Sequence, residues 1–168
     1  MDSLVVRLAQ TSDAVDLARN WIEVAHHYVE LDPEAAQVPS TDGLVEFFEE
    51  LLGRPRSEDS VWLVAEMGGQ IIGDISARLE RPAKDAERQV MRYPGEIRVY
   101  VDALGVAEAY RREGVGTRLM EAIEQWGRDR GAVRVMLDTH ARSPLSVPFY
   151  ERRMGYRRRS IVFEKRLD

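Results

Sequence analysis

Between residues 97 and 140 the hydrophobic period of the chain changes twice, and this limits the fold more than any other feature. The β-branched run "IRVYVDALGV" gives way to "AEAYRREG" and then to "VGTRLMEAIEQWGRDR", where Val115, Leu119, Ala122, Ile123 and Trp126 recur on one helical face. "AVRVMLDTH" then returns to strand character. A strand, a helix over about residues 115–130 and a second strand make one crossover unit, with Gly131 placed to stop the helix.

The remaining segments extend this unit. "SLVVRLAQ" reads as a strand, and "TSDAVDLARNWIEVAHHYVE" as a helix with Thr11 or Ser12 as its N-cap. "TDGLVEFFEELLG" reads as a second helix. "VWLVAEM", Gly68-Gly69 and "QIIGDISARLE" read as an antiparallel hairpin, because paired glycines supply the positive φ angles of a tight turn. Residues 81–96 are polar and Pro-bounded, hence a loop or short exposed helix. "SPLSVPFYERRMGY" reads as a short helix and turn, and "RRSIVFEKRL" as a final strand. The expected order is β-α-α-β-β-β-α-β-α-β: an α/β (α+β) domain with a mixed, mainly antiparallel twisted sheet flanked by helices. At 168 residues a single domain spanning 1–168 is expected.

Composition narrows the function. The net charge of -5 gives no support to nucleic-acid binding and mildly favours a cationic substrate. No run of membrane-spanning length and no signal-peptide pattern is seen, so a cytoplasmic protein that does not enter membranes is expected. The absence of cysteine excludes disulfides, thiolate metal sites and a cysteine nucleophile. His26 and His27 are adjacent on a helix and lack the spacing of a helical metal pair, so no metal is implied. Trp21, Trp62 and Trp126 lie in apolar periodic segments and are expected in the core.

Two glycines, Gly114 and Gly116, stand at the mouth of the crossover helix. The first-turn N–H groups of a helix lack internal partners and sit at the positive end of its dipole, so an anion binds there if it can approach. Glycine permits that approach, at a helix-propensity cost of about 1 kcal/mol each. No Lys-Ser/Thr follows, as the Walker loop requires, and Leu119 stands where the dinucleotide fingerprint needs a small residue. On the glycines alone, a phosphate-binding loop and a plain turn remain equally open.

The segment Arg111-Arg112-Glu113-Gly114-Val115-Gly116 resembles the Arg/Gln-x-x-Gly-x-Gly/Ala signature of the GNAT N-acetyltransferases, preceded by a strand that ends in Gly105-Val106. Downstream, "SPLSVPFYERRMGY" is similar to that family's Asn-x-x-Ala-x-x-Phe-Tyr-Glu-x-x-Gly-Phe segment, with one extra residue before Gly155. The two motifs lie in order and cover roughly the C-terminal half of the chain.

The resemblance implies a sheet with a splayed central strand pair and transfer of an acetyl group from acetyl-coenzyme A to an amine of a small molecule or peptide. The pyrophosphate would lie on backbone N–H groups of Arg112, Glu113, Gly114, Val115, Gly116 and Thr117, with Arg111 and Arg112 as counter-charge and the Glu113 side chain turned to solvent. Leu104 and Val106 would pair with the pantetheine arm, and a bulge at Gly105 would splay the strand. Ser143 stands where the family carries Asn at the cofactor. Tyr150 matches the tyrosine placed to protonate the departing thiolate, with core packing beside Phe149 as its alternative. Asp102, at a strand position where relatives carry Glu or Asp, is the candidate base or substrate-binding group. Glu96 and His140 are reserve candidates. Pro148 removes a helical hydrogen bond and is expected to kink or delay the helix carrying Tyr150. With no cysteine, direct attack by the amine in a ternary complex is the expected route. The acids Glu30, Asp32, Glu34 and Glu80 suit a cationic acceptor. A homodimer falls within what the resemblance implies. A non-catalytic acyl-coenzyme A sensor is the competing reading.

Overall fold

The computed structural model describes residues 3–167. Five strands form one sheet in the order β1-β2-β3-β4-β5: β1 (Val5–Leu8), β2 (Ser60–Met67), β3 (Gln70–Glu80), β4 (Arg98–Val106) and β5 (Arg134–Leu137). The first three pairings are antiparallel, and β4 runs parallel to β5. Helices α1 (Ala14–Leu31) and α2 (Leu44–Gly53) connect β1 to β2, and α3 (Val115–Arg128) makes the crossover from β4 to β5. This is the mixed, mainly antiparallel sheet with flanking helices that the periodicity predicts. The chain divides into two compact units, the first ending at Asp138 and the second beginning at Thr139. Among the described residues no helix is long and apolar enough to cross a membrane.

In the first unit, α1, α2 and the sheet enclose Leu17, Ala18, Phe48, Leu52 and Val64. Leu119, Met120 and Ile123 of α3 are fully buried, and each such side chain contributes roughly 1.5–3 kcal/mol by leaving water. The two helical layers cover opposite faces of β3, because successive residues of a strand point to opposite sides. A Cβ at Gly73 would lie 2.9 Å from the Gly105 carbonyl oxygen and 3.2 Å from Val115 Cγ1 of α3. Asp74, the next residue, faces Val24 of α1 beside Gly105.

The close approach at Gly73 seats the N-terminus of α3 against the sheet. Gly73→Val should destabilise the fold by about 3 kcal/mol, near the upper end for overpacking. Equilibrium urea denaturation checks this.

Three features depart from the sequence reading. The segment 158–167 forms no strand: Ile161, Val162, Phe163 and Leu167 are all exposed, and β propensity has no effect without a partner backbone. Trp21 is 44% exposed rather than in the core, although its ring edge meets Phe48. Asp13, rather than Thr11 or Ser12, organises the entry to α1; its carboxylate accepts the Gln10 N–H at 2.7 Å and pairs with Arg7 at 2.8 Å.

Candidate active site

β5 ends at Leu137, opposite Val101, so the edge of β4 from Asp102 to Val106 has no β5 partner. The bulge in β4 sits at Asp102, because the register passes from Ser76↔Ala103 to Ala77↔Val101. This corrects the expectation of a bulge at Gly105, which keeps regular register with Asp74. A side chain at Gly105 is excluded for a different reason: its Cβ would crowd Asp74 Oδ1 at 3.2 Å and Val24 Cγ2 at 3.3 Å.

The chain leaves β4 through Ala107, whose N–H donates to the Ile72 carbonyl, and the Glu108 N–H donates to the Glu23 carboxylate of α1. A 3-10 turn over Glu108–Tyr110 follows. Arg111 Nε donates to the Val106 carbonyl at 3.1 Å, so this guanidinium fastens the loop to the end of β4. Arg112 has φ +73°, a left-handed conformation that costs a non-glycine residue roughly 1–2 kcal/mol. Gly114 follows at φ +89° as the N-cap of α3, with open space where its Cβ would be. The first intrahelical bond runs from the Arg118 N–H to the Gly114 carbonyl, leaving Val115, Gly116 and Thr117 N–H groups without an intrahelical acceptor. Glu113 is exposed. Leu104, Val106 and residues 111–117 are thus consecutive parts of one strand-loop-helix element whose N–H groups can hold an anion.

One face of β3 is buried through Ile75, Ala77 and Leu79; the other carries Asp74, Ser76, Arg78 and Glu80. Arg78 lies 4.4 Å from the centre of the Tyr100 ring and pairs with Asp102 and Glu80. Glu80 also pairs with Arg98 at 2.7 Å. Tyr100 donates its hydroxyl to Asp138, a contact that, with burial, pushes its pKa up to about 12. Asp102 is therefore an exposed carboxylate held by a guanidinium. Glu96 makes a two-pronged bridge to Arg134, which holds its carboxyl below the usual range and joins the starts of β4 and β5. That geometry gives Glu96 a structural role.

Sequence reasoning passed over Asp74 and Arg78. Burial pushes the Asp74 carboxyl up to about 6, against the opposing hydrogen bond from Trp62 Nε1 at 2.9 Å. The available signal was a lone acid between Ile72 and Ile75 in an otherwise apolar stretch of strand.

The second unit holds Ser143 and Tyr150. Ser143 is buried, and its Oγ accepts the Ser146 N–H at 3.0 Å, which organises the start of α4 (Ser146–Pro148). Beyond Pro148 the chain continues as a π turn over Phe149–Arg153 instead of an α-helix, with the Met154 N–H donating to the Phe149 carbonyl. Pro148 itself stands in the first turn, ahead of the first helical bond from the Phe149 N–H to the Leu145 carbonyl, so it removes no helical hydrogen bond and the expected kink or delay is replaced by a π turn after it. The Tyr150 ring meets Phe149 and Tyr156 edge-on, at centroid distances of 5.0 and 6.0 Å. His140 Nδ1 accepts the Arg142 N–H at 3.3 Å, in the turn before Ser143.

The sheet with its single parallel strand pair and the glycine-led crossover helix can be set beside known proteins. The sequence profile of the acetyltransferase (GNAT) family matches residues 20–156, and the chain belongs to that family. It is 27% identical over 105 residues to the probable N-acetyltransferase camello of Xenopus tropicalis, a match covering 62% of this chain and 42% of that protein. The matched part is thus less than half of the curated relative's length. A mutant of the BH1408 protein from Bacillus halodurans superposes with a TM-score of 0.79 at 23% identity, covering 97% of this chain and 99% of the other. AAC(6')-Iy, solved with a bisubstrate analogue, superposes with a TM-score of 0.64 at 18% identity, covering 98% and 99% of the two chains. Both superpositions bear on the fold.

Proposed function

We propose that the protein is an N-acetyltransferase that moves an acetyl group from acetyl-coenzyme A to a primary amine of a small molecule or peptide, by direct attack within a ternary complex. The observation that carries this reading is the N-terminus of α3, where Gly114 opens the helix in a left-handed conformation one short loop after the end of β4, whose edge beyond Val101 has no β5 partner. The reading treats residues 1–168 as one catalytic domain, with the cytoplasm as the proposed location.

In this reading the N–H groups of residues 112–117 bind the pyrophosphate. The exposed Glu113 side chain leaves them accessible, and Arg111 holds the loop while Arg112 supplies counter-charge. The free edge of β4 at Leu104 and Val106 aligns the pantetheine arm, and Ser143 contributes from the start of α4. The donor, when bound, supplies the activated acyl carbon. Asp102 engages the cationic acceptor, exchanging its Arg78 partner for the substrate ammonium. Tyr150 donates its phenolic proton to the departing sulfur; with reference pKa values of about 10 and 8.5, this transfer is uphill by about 2 kcal/mol and requires the tyrosine to be held in place. An aminoglycoside is the first acceptor to try, because AAC(6')-Iy was solved with an acetylneamine-based analogue.

Calorimetric titration with acetyl-coenzyme A, beside Gly116→Glu, tests the reading. Saturable binding weakened at least ~100-fold in the variant is expected, since a carboxylate in the first turn meets the phosphates and repels them. Failure of the unaltered, folded protein to bind overturns it.

A further inference from the structure

We propose that Asp74 is the proton acceptor for the attacking amine, at the register position facing the strand assigned to the acyl donor. The inference rests on the acetyltransferase reading above. Asp74 pairs in register with Gly105, the residue between Leu104 and Val106. The missing Cβ at Gly105 leaves room beside Oδ1, bounded on the other side by Val24 of α1. Trp62 Nε1 holds Oδ2 at 2.9 Å and so fixes the rotamer. Among the described residues Oδ1 receives no hydrogen bond, and Asp74 as a whole is half-buried. A carboxylate with one oxygen anchored and the other without a hydrogen bond, beside the strand assigned to the donor, has the geometry of a general base.

The surrounding charges leave Asp74 without a cation. On β3 and β4, Arg78 is paired with Asp102 and Glu80. On β2, Glu66 is paired with Arg7. On α1, Asp16 and Arg19 pair with each other, and Glu23 accepts the Glu108 N–H. His27 lies one turn beyond Val24, its buried Nε2 without a partner among the described residues. Burial therefore dominates, which raises the basicity of the carboxylate toward that of an amine.

The acceptor ammonium passes one proton to Oδ1, directly or through one water. The freed nitrogen pair forms the C–N bond to the acetyl carbon, while the C–S bond breaks and its electron pair leaves with sulfur. Sulfur takes the proton of Tyr150, which regains one from the new nitrogen centre, and Asp74 returns its proton to solvent. One ammonium and one thioester become an amide, a thiol and a solvent proton.

The experiment measures thiol release from acetyl-coenzyme A with an aminoglycoside, spermidine and a peptide with a free N-terminus, for the unaltered protein, Asp74→Asn and Trp62→Phe. Asp74→Asn keeps an oxygen for the indole N–H. It should lower kcat/KM about 100-fold or more with unchanged acetyl-coenzyme A affinity, and should abolish an acid limb that breaks at about pH 6 in the unaltered protein. Trp62→Phe removes the donor that opposes the shift, so its limb should move to higher pH. An unchanged rate and profile in Asp74→Asn, loss of donor binding along with activity, or an unmoved limb in Trp62→Phe would each overturn the assignment. Turnover that survives Asp74→Asn sinks this proposal alone. An unaltered protein that acetylates none of the amines sinks the acetyltransferase reading and this proposal together.

Discussion

Tyr150→Phe is expected to lower turnover by about 10²–10⁴-fold while leaving the affinity for acetyl-coenzyme A nearly unchanged, the range typical of losing one general acid. Phenylalanine retains the ring that meets Phe149 and Tyr156 edge-on, so the π turn over Phe149–Arg153 keeps its packing and only the hydroxyl is lost. Without that proton the sulfur must leave as a thiolate. The penalty should therefore fall on kcat, and an acyl donor with a more acidic thiol leaving group should restore part of it. Steady-state kinetics with such a donor beside calorimetry on the same variant separate the two effects. A variant that binds less tightly and turns over as fast would point to packing as the role of Tyr150.

Asp74→Asn should make the protein more stable at neutral pH even as it slows the reaction. The folded-state pKa of Asp74 lies at about 6, above its ordinary value of 3.8, so the folded protein holds a proton more tightly than the unfolded chain. The stabilising effect of that proton is complete below about pH 4 and is lost as pH rises through about 6. Above that, keeping the charged carboxylate enclosed costs about 2–3 kcal/mol, from a shift of about two units at 1.36 kcal/mol each. The asparagine variant carries no such charge, so its advantage should be about 2–3 kcal/mol at pH 7.5 and near zero at pH 4. Urea denaturation of both proteins across this range checks the sign and the size. Equal stability at both pH values would show that the carboxylate is well solvated when folded. A carboxylate kept enclosed at a cost to stability is the trade expected where a group serves activity.

Much of this molecule is readable before folding. The helix opened by Gly114 and the strands on either side of it follow from local periodicity, as does the hairpin through Gly68 and Gly69. These elements are set by contacts between residues close in sequence, so the order of side chains carries them. The motif at residues 111–116 is contiguous for the same reason: a helix N-terminus presents consecutive amides, and one short segment can encode all of them.

The failures share a cause. The segment 158–167 has strand-like residues, but a strand exists only through its neighbour, and no neighbour is encoded within the segment itself. Trp21 has the spacing of a core residue, yet its exposure depends on where α2 lies. The bulge at Asp102 arises from register with β3, a property of two strands together. The bond from Arg111 Nε to the Val106 carbonyl is likewise a contact that the motif does not show.

Local order along the chain therefore accounts for the elements, their succession and the glycine-led terminus of α3. Only the tertiary structure brings Asp74, Trp62, Gly105 and Val24 together from three strands and a helix. That meeting raises the basicity of one carboxyl and leaves Asp102 paired with Arg78. Desolvation and ion pairing depend on what surrounds a group in space, and residues distant in sequence supply those surroundings here.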